Sequence, residues 1–456
     1  MLILNDKKIP YKLILYLFFT VFFMLFICQP RDQEFKPICK DNRFIEGLNG
    51  WLFWKYDFQP APIFPESLTP YLLRFRQALE KKHIKLIIIP IPNKGMMLKE
   101  TDHALSELQW LYMYPLIKKS QEVYQSSTKK LALHGFLIVN LLEYVKHNDI
   151  QKTSNEYFFY KTDHHWSAYG AKLSAKALTD LIRKFDRLKL MLPKKDFMTQ
   201  RVSTLPFLGS TGNAYQTSCK LEWTQEESSR YETVFASSSG QDLFTESIPK
   251  VVLAGSSFSQ STRDFNFPGF ISDSLHTSVL TYAENAHYLF GWLAAYLTSD
   301  DYANSKPKLL IWEAPGLFWN ETEVRHENQI PWLRHIIPSV YGACTKDDQI
   351  YYSKWRINKN IKNYLIIESL KRYARGSNYY IHILSSNKKV KNMNFKIVYK
   401  NRELEKISLN FDKFSNNNGN FYLELSNTIK SSLKDLKISF TGDSGSLIIQ
   451  ICHLRN

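Results

Sequence analysis

The sequence predicts an α/β protein: a parallel sheet with flanking helices, followed by a separate C-terminal antiparallel β-sandwich. Three observations carry this prediction. Four short apolar runs, each ending at polar, Gly or Pro punctuation, have the content of strands buried on both faces. Helical periodicity fills the intervals between them, as a sheet with crossover helices requires. Beyond about Cys344 the pattern changes to alternation at a spacing of two, which is how half-buried antiparallel strands read.

Taken in order, the first element is an export signal over residues 1–30. Lys7, Lys8 and Lys12 precede an uncharged run from Leu13 to Cys28, which is short for a membrane-spanning helix. The order basic then apolar fits a secretory signal, cleaved or retained as an anchor, and predicts a periplasmic protein. Residues 40–343 form the predicted α/β domain. Its strands are Leu86–Ile89, Phe136–Val139, Val251–Ala254 and Leu309–Trp312. A helix over Leu68–Lys82 precedes the first strand, with Leu72, Leu73, Phe75 and Leu79 among its charges. Ala171, Ala175, Leu178, Leu181, Ile182 and Phe185 mark a second helix. Residues 344–456 form the predicted sandwich, with strands over Lys406–Phe411, Phe421–Leu425, Leu436–Phe440 and Ser446–Ile451. Asn416–Asn420 is the turn between two of them, and the polar, aromatic stretch Asp348–Tyr373 reads as a helix-like joining segment.

Composition bounds the partners. The 456 residues are 44% hydrophobic and 14% aromatic, which excludes a disordered chain and supports more than one domain. Net charge is +16, and from Lys346 onward 20 Lys and Arg face 9 Asp and Glu, a local balance of +11. The excess in the last quarter fits either a solvated basic face or an acidic polymer as partner. Besides Cys28 there are Cys39, Cys219, Cys344 and Cys452, an even set that permits three pairings. The pairing that keeps each bond inside one domain is Cys39–Cys219 with Cys344–Cys452. Export to an oxidising compartment suits it.

Two motifs carry chemistry. Thr162-Asp163-His164-His165-Trp166-Ser167 supplies a carboxylate and an imidazole two residues apart, so that in loop or extended backbone Asp163 and His165 share a face. His164 then points elsewhere, toward substrate or structure. Val251-Val252-Leu253-Ala254-Gly255-Ser256-Ser257-Phe258-Ser259 sets a serine on a tight turn beyond an apolar strand, where an open α/β sheet presents reactive groups. A serine alcohol needs an adjacent base, and an Asp-oriented His is the usual one. Amides around Ser257, with Asn266 as a further donor, would form an oxyanion site. Trp166 reads as a packing residue, and Asp163 or Ser167 as a cap for the following helix. The Asp-His-His set also fits a metal site, but the sequence offers no further ligand group at compatible spacing, so no metal and no cofactor are expected.

The combination resembles the alginate O-acetyltransferase (AlgX/AlgJ) family. Asp163-His164-His165-Trp166-Ser167 is similar to its Asp-x-His-Trp-Ser/Thr signature, and Gly255-Ser256-Ser257-Phe258-Ser259 to its nucleophile turn. Gly50-Trp51-Leu52-Phe53, Ile89-Pro90-Ile91-Pro92-Asn93-Lys94, Asn266-Phe267 with Gly269, Tyr282-Ala283-Glu284 and Ile311-Trp312-Glu313-Ala314-Pro315 resemble flanking segments. Gly316-Leu317-Phe318 departs from the Glu-Arg-Tyr that usually follows the proline. The resemblance implies an SGNH-hydrolase-like domain with Ser257 as nucleophile, His165 as base and Asp163 as its orienter. It implies Asn266, Lys94 and His164 as oxyanion or substrate candidates, and a carbohydrate-binding C-terminal sandwich. It also implies an anionic polysaccharide rather than nucleic acid as partner, a membrane-bound source of acetyl, and a polymer-export complex. The residues leave three readings open: an acetyltransferase, an esterase with water as acceptor, and a polysaccharide-binding scaffold with an inert relay.

Overall fold

A sheet of five parallel strands runs through the middle of the first domain, its order set by which strands can bury both faces. The computed structural model describes residues 39–454 except 149–155, 186–191, 236–248, 261–264, 285–288, 317–325, 358–363, 368–377, 411–417 and the short gaps 388–389, 391, 427, 430 and 442–444. The predicted export signal and the Leu317-Phe318 pair lie outside the described residues. Residues Arg43–Asn456 form one compact unit.

In chain order, β1 (Phe44–Glu46) and β2 (Leu52–Trp54) pair antiparallel, and α1 (Thr69–Lys81) leads into β3 (Lys85–Ile91). Then come α2 (Glu107–Leu133), β4 (Leu137–Ile138), α3 (Leu141–Asn148) and α4 (Ala168–Arg183). A hairpin of β5 (Phe197–Phe207) and β6 (Glu226–Phe235) flanks α5 (Ser210–Cys219). The domain continues through β7 (Val251–Gly255), α6 (Phe267–Leu275), β8 (Val279–Ala283), α7 (Gly291–Leu297), α8 (Asp300–Asn304), β9 (Leu309–Pro315) and α9 (His326–Ser339). The parallel sheet has the order β4-β3-β9-β7-β8. All four predicted strands are present, β4 as a two-residue edge. The β8 edge, with its half-buried pattern, carries too weak an apolar run to be read from sequence.

The strand pleat divides the core. Leu86, Ile88, Val252, Ala254, Leu310 and Trp312 face α1, α7 and α9, while Ile87, Ile89, Val251, Leu253, Leu309 and Ile311 face α4 and α6. Each such buried Val, Leu or Ile side chain contributes about 1.5–3 kcal/mol of transfer free energy.

The C-terminal region is a sandwich of two four-stranded sheets. β10 (Gln349–Ile357), β11 (Tyr364–Ile367), β12 (Tyr379–Ser385), β13 (Asn392–Tyr399), β14 (Leu404–Asn410), β15 (Asn420–Glu424), β16 (Leu433–Thr441) and β17 (Gly445–His453) stack as β10-β17-β12-β15 on β11-β16-β13-β14. The helix-like expectation for Asp348–Tyr373 is corrected: its described parts are β10 and β11. Tyr351, Tyr352 and Trp355 suit a pleated surface, and pairing along β17 decides the conformation. Cys344 and Cys452 are joined with Cα atoms 5.6 Å apart, and Cys39 and Cys219 are each in a disulfide.

The core on the α9 side is continuous with the sandwich core. Arg334 of α9 grips Glu405 through two bonds of 3.0 and 3.2 Å and donates to the Glu424 carbonyl, while Arg74 of α1 reaches the Glu424 carboxylate at 2.7 Å. Burial pushes Glu424 up to about 7 against the pull of the two arginines. The sandwich is thus fixed on the α/β domain by charges as well as by packing.

Candidate active site

The Asp163-His165 segment leaves the body of the domain in a loop that a short bridge between Phe159 and Trp166 closes. Ser167 ends it by capping α4, accepting from the Gly170 amide at 3.2 Å. Within the loop, Asp163 Oδ1 accepts from the His165 amide at 3.1 Å and from His165 Nδ1 at 2.8 Å. With Nδ1–H committed to the carboxylate, Nε2 is left to accept from the Ser257 hydroxyl, 2.7 Å away. The three groups that the sequence singled out are therefore in line. Trp166 does more than pack: fully buried, it donates from Nε1 to the Phe258 carbonyl at 3.0 Å and ties the loop to the serine turn.

Ser257 is half-buried and opens a single 3-10 turn, Ser257–Ser259, directly after β7. Glu313, at the end of neighbouring β9, anchors this turn. Its Oε2 accepts from the Ser256 amide at 2.7 Å, the Ser256 hydroxyl at 3.0 Å and the Ser259 hydroxyl at 3.0 Å. A Cβ at Gly255 would stand 2.5 Å from that oxygen, so glycine is what permits the approach. Burial pushes Glu313 up to about 7, and the three bonds only partly counter it.

Asp163 has the opposite balance. Burial alone would raise it, but attraction to His165, the hydrogen bond from His165, His164 and the Ser210 hydroxyl hold it well below the usual carboxylate range. Ser210 begins α5 and donates to Asp163 twice, from its amide at 3.0 Å and its hydroxyl at 2.6 Å. The carboxylate thus sits at a helix N-terminus, where negative charge is favoured. Gly209 allows this, since a Cβ there would collide with Asp163 and the Thr162 carbonyl.

The other expected site residues fall differently. Lys94 is drawn into the interior, beneath one wall of a cavity. It is 2% exposed, and its ammonium donates to the Leu52, Lys161 and Asp163 carbonyls at 2.6, 2.7 and 3.1 Å. Burial lowers its pKa, and Asp57, the carboxyl facing it, is raised by the same burial. Three convergent carbonyls make this site a better home for a cation than for an aliphatic chain. His164 does not turn away from the relay: its ring centroid is 4.0 Å from that of His165, and Nδ1 lies 2.9 Å from Ser210 Oγ. Asn266 caps α6 with φ 46° and spends its amide on Thr233 Oγ1 at 2.9 Å. Sequence reading missed Ser210, Glu226 and the anchoring role of Glu313. The Gly209-Ser210 pair opening a helix was the available signal for the first.

Asp163, His164 and His165 could together hold an ion, with one ligand atom from each inside 4.8 Å. However, both ring nitrogens of His165 already face partners, Asp163 and Ser257. The arrangement fits proton transfer better than coordination. Two cavities of about 710 and 600 Å³ share Asn49, Glu156, Tyr157, Phe159, Lys161 and Tyr169 as walls, and neither is lined by His165 or Ser257. Size therefore does not locate the chemistry here; the aligned side chains do.

A parallel sheet with a serine turn at the carboxyl end of one strand, and an Asp-x-His loop set against it, defines an SGNH hydrolase-like domain. The family model described as "SGNH hydrolase-like domain, acetyltransferase AlgX" matches residues 44–316, and the chain belongs to that family. Alginate biosynthesis protein AlgX of Pseudomonas aeruginosa is 26% identical over 392 residues, covering 85% of this chain and 78% of its own. The probable alginate O-acetylase AlgJ of Pseudomonas fluorescens is 28% identical over 276 residues, covering 59% and 66%. The solved structure of Pseudomonas aeruginosa AlgX superposes over 90% of this chain and 94% of that chain, with a TM-score of 0.74 at 20% identity. That likeness extends the shared fold into the sandwich.

Proposed function

We propose that the protein is an exported polysaccharide O-acetyltransferase that passes acetyl through Ser257 to hydroxyls of an anionic exopolysaccharide such as alginate. The observation that carries this reading is the line Asp163–His165–Ser257, with contacts of 2.8 and 2.7 Å, inside a domain of the AlgX family. Relatives are named for alginate biosynthesis and alginate O-acetylation. The disulfides suit an extracytoplasmic, periplasmic location.

In the proposed reaction His165 Nε2 takes the Ser257 proton as Oγ attacks the acetyl carbonyl of the donor. The tetrahedral oxyanion needs a donor that is already in place. Within the turn, the Ser256, Phe258 and Ser259 amides are committed to Glu313, Ser256 Oγ and the Ser256 carbonyl. The Ser257 amide is the one we assign to the oxyanion. Collapse releases the donor's leaving group, which takes the proton from His165 and leaves acetyl-Ser257. A sugar hydroxyl then gives its proton to His165 and attacks the ester, and Ser257 Oγ departs with that proton. Asp163, held ionised, keeps the imidazole in the tautomer both half-reactions need. The basic sandwich would hold the anionic chain near Ser257 and raise its local concentration. Membrane-bound machinery would supply acetyl, and an export complex would deliver polymer.

The test is acetyl transfer from a soluble activated acetyl ester to oligouronates, measured beside release of acetate to water. Transfer exceeding hydrolysis, both abolished in Ser257→Ala, with acetyl trapped on Ser257 by mass spectrometry, is the expected result. Hydrolysis alone makes the protein an esterase. Neither activity, with polymer binding intact, makes it a scaffold.

A further inference from the structure

Asp163 belongs to a loop whose backbone is gripped from two sides by charge, buried on one side and half-buried on the other. On one side stands Lys94, the last residue of Ile89-Pro90-Ile91-Pro92-Asn93-Lys94. All three N–H donors of its ammonium are spent, on the carbonyls of Leu52, Lys161 and Asp163. The Trp51 and Phe53 rings lie under Nζ with centroids at 5.3 and 4.8 Å. On the other side stands Glu226 of β6, whose carboxylate accepts from the Lys161 amide at 2.9 Å and from the Thr162 amide and hydroxyl at 2.7 Å each. Lys161 thus turns its carbonyl to an ammonium and its amide to a carboxylate, with Asp163 adding a second carbonyl on the first side and Thr162 a second amide on the other.

Burying a lysine costs far more than burying a methionine of similar length, so packing alone does not account for it. The three carbonyls converge on Nζ only when the loop takes this path. That path also sets the Asp163 side chain between His165 and Ser210.

We propose that Lys94 and Glu226 form a charge clamp that positions Asp163, and through it the imidazole that serves Ser257. Neither residue touches the reacting atoms; both are positioning residues. The proposal rests on the relay being the machinery of acetyl transfer, and its test keeps the two questions apart.

Lys94→Met and Glu226→Gln are made in the full chain. Three things are read: kcat and KM for acetyl transfer to oligouronates, the downfield proton resonance of the Asp163–His165 hydrogen bond, and thermal melting. The expected result is folded protein in which kcat falls ~10- to 100-fold, the range for a misplaced catalytic group, with KM changed less than about threefold. The downfield resonance should broaden or vanish in both variants. A lowered melting temperature with kcat and the resonance unchanged would make Lys94 a purely structural lysine and overturn the clamp. If Lys94→Met does not fold, Glu226→Gln decides by the same readings. If the unaltered protein shows the resonance but transfers no acetyl, the functional reading falls, and the resonance in the variants still judges the clamp.

Discussion

Asp163 and Glu313 are both buried carboxyls, each organising one side of the same site, and they titrate in opposite directions. Asp163 is 3% exposed and Glu313 1%, so desolvation is similar. Each accepts from a backbone amide and a serine hydroxyl. The difference lies in the neighbours. His165 and His164 stand beside Asp163 and pull it down, whereas the bonds to Glu313 come from neutral serines and amides that leave it at about 7. Hydrogen bonds from neutral donors do not repay the burial of a charge here; an adjacent imidazole does. The carboxyl we propose as the orienter of a base is given histidines, and the one that holds the serine turn is not.

The largest effect expected on this contrast is that of Asp163→Asn. The amide keeps the shape but donates where the carboxylate accepted, which favours the wrong imidazole tautomer. Acetyl transfer should fall by about 10⁴ in kcat, less than the loss for Ser257→Ala. A loss under about tenfold would remove Asp163 from the relay. Glycine substitutions come next. Gly209→Ala would press on backbone, the Thr162 carbonyl and Asp163 Cα, while Gly255→Ala would press mainly on the Glu313 and Ser259 side chains, which can yield. Overpacking of this kind costs about 1–3 kcal/mol, and Gly209→Ala should stand at the upper end. Its kcat should fall by about 100-fold, and that of Gly255→Ala by about tenfold, with melting curves reporting the stability loss in each. Equal effects would mean that the two sides are equally rigid.

Much of this site was legible because its parts are local in sequence. Asp163 and His165 are two residues apart, Ser257 follows an apolar strand, and the pattern Val251–Ala254 needs no partner to be recognised. What holds those parts in place was not legible. Lys94 meets carbonyls 42, 67 and 69 residues away, and Glu226 meets a loop 64 and 65 residues away. No local pattern marks a lysine as buried, and the usual expectation for one is solvent. The same logic explains the fold. Four strands of the parallel sheet declare themselves by composition, while β8, β10 and β11 are strands because of what they pair with.

The smallest effect, and the one that bears most directly on the contrast, is the pH dependence of Glu313→Gln. The folded protein raises Glu313 from 4.5 to about 7, so between those values it binds a proton that the unfolded chain has released. Its favourable contribution is complete below pH 4.5 and is lost as pH rises through about 7. Asp163 runs the other way, its contribution present above 3.8 and lost only as pH falls below that. The Glu313→Gln change would remove the first dependence and leave the second. Relative to the unaltered protein, the variant should therefore gain stability between about pH 5 and pH 8, by about 1–3 kcal/mol, since one pKa unit is worth 1.36 kcal/mol. Melting temperatures of both proteins across that range provide the measurement, a few degrees of divergence being expected for a chain of this size. Parallel curves would place a compensating charge beside Glu313 and bring it into line with Asp163. The same variant should keep its acetyl transfer within about tenfold, because the amide oxygen still accepts from the turn while the amide nitrogen gives up one acceptor site.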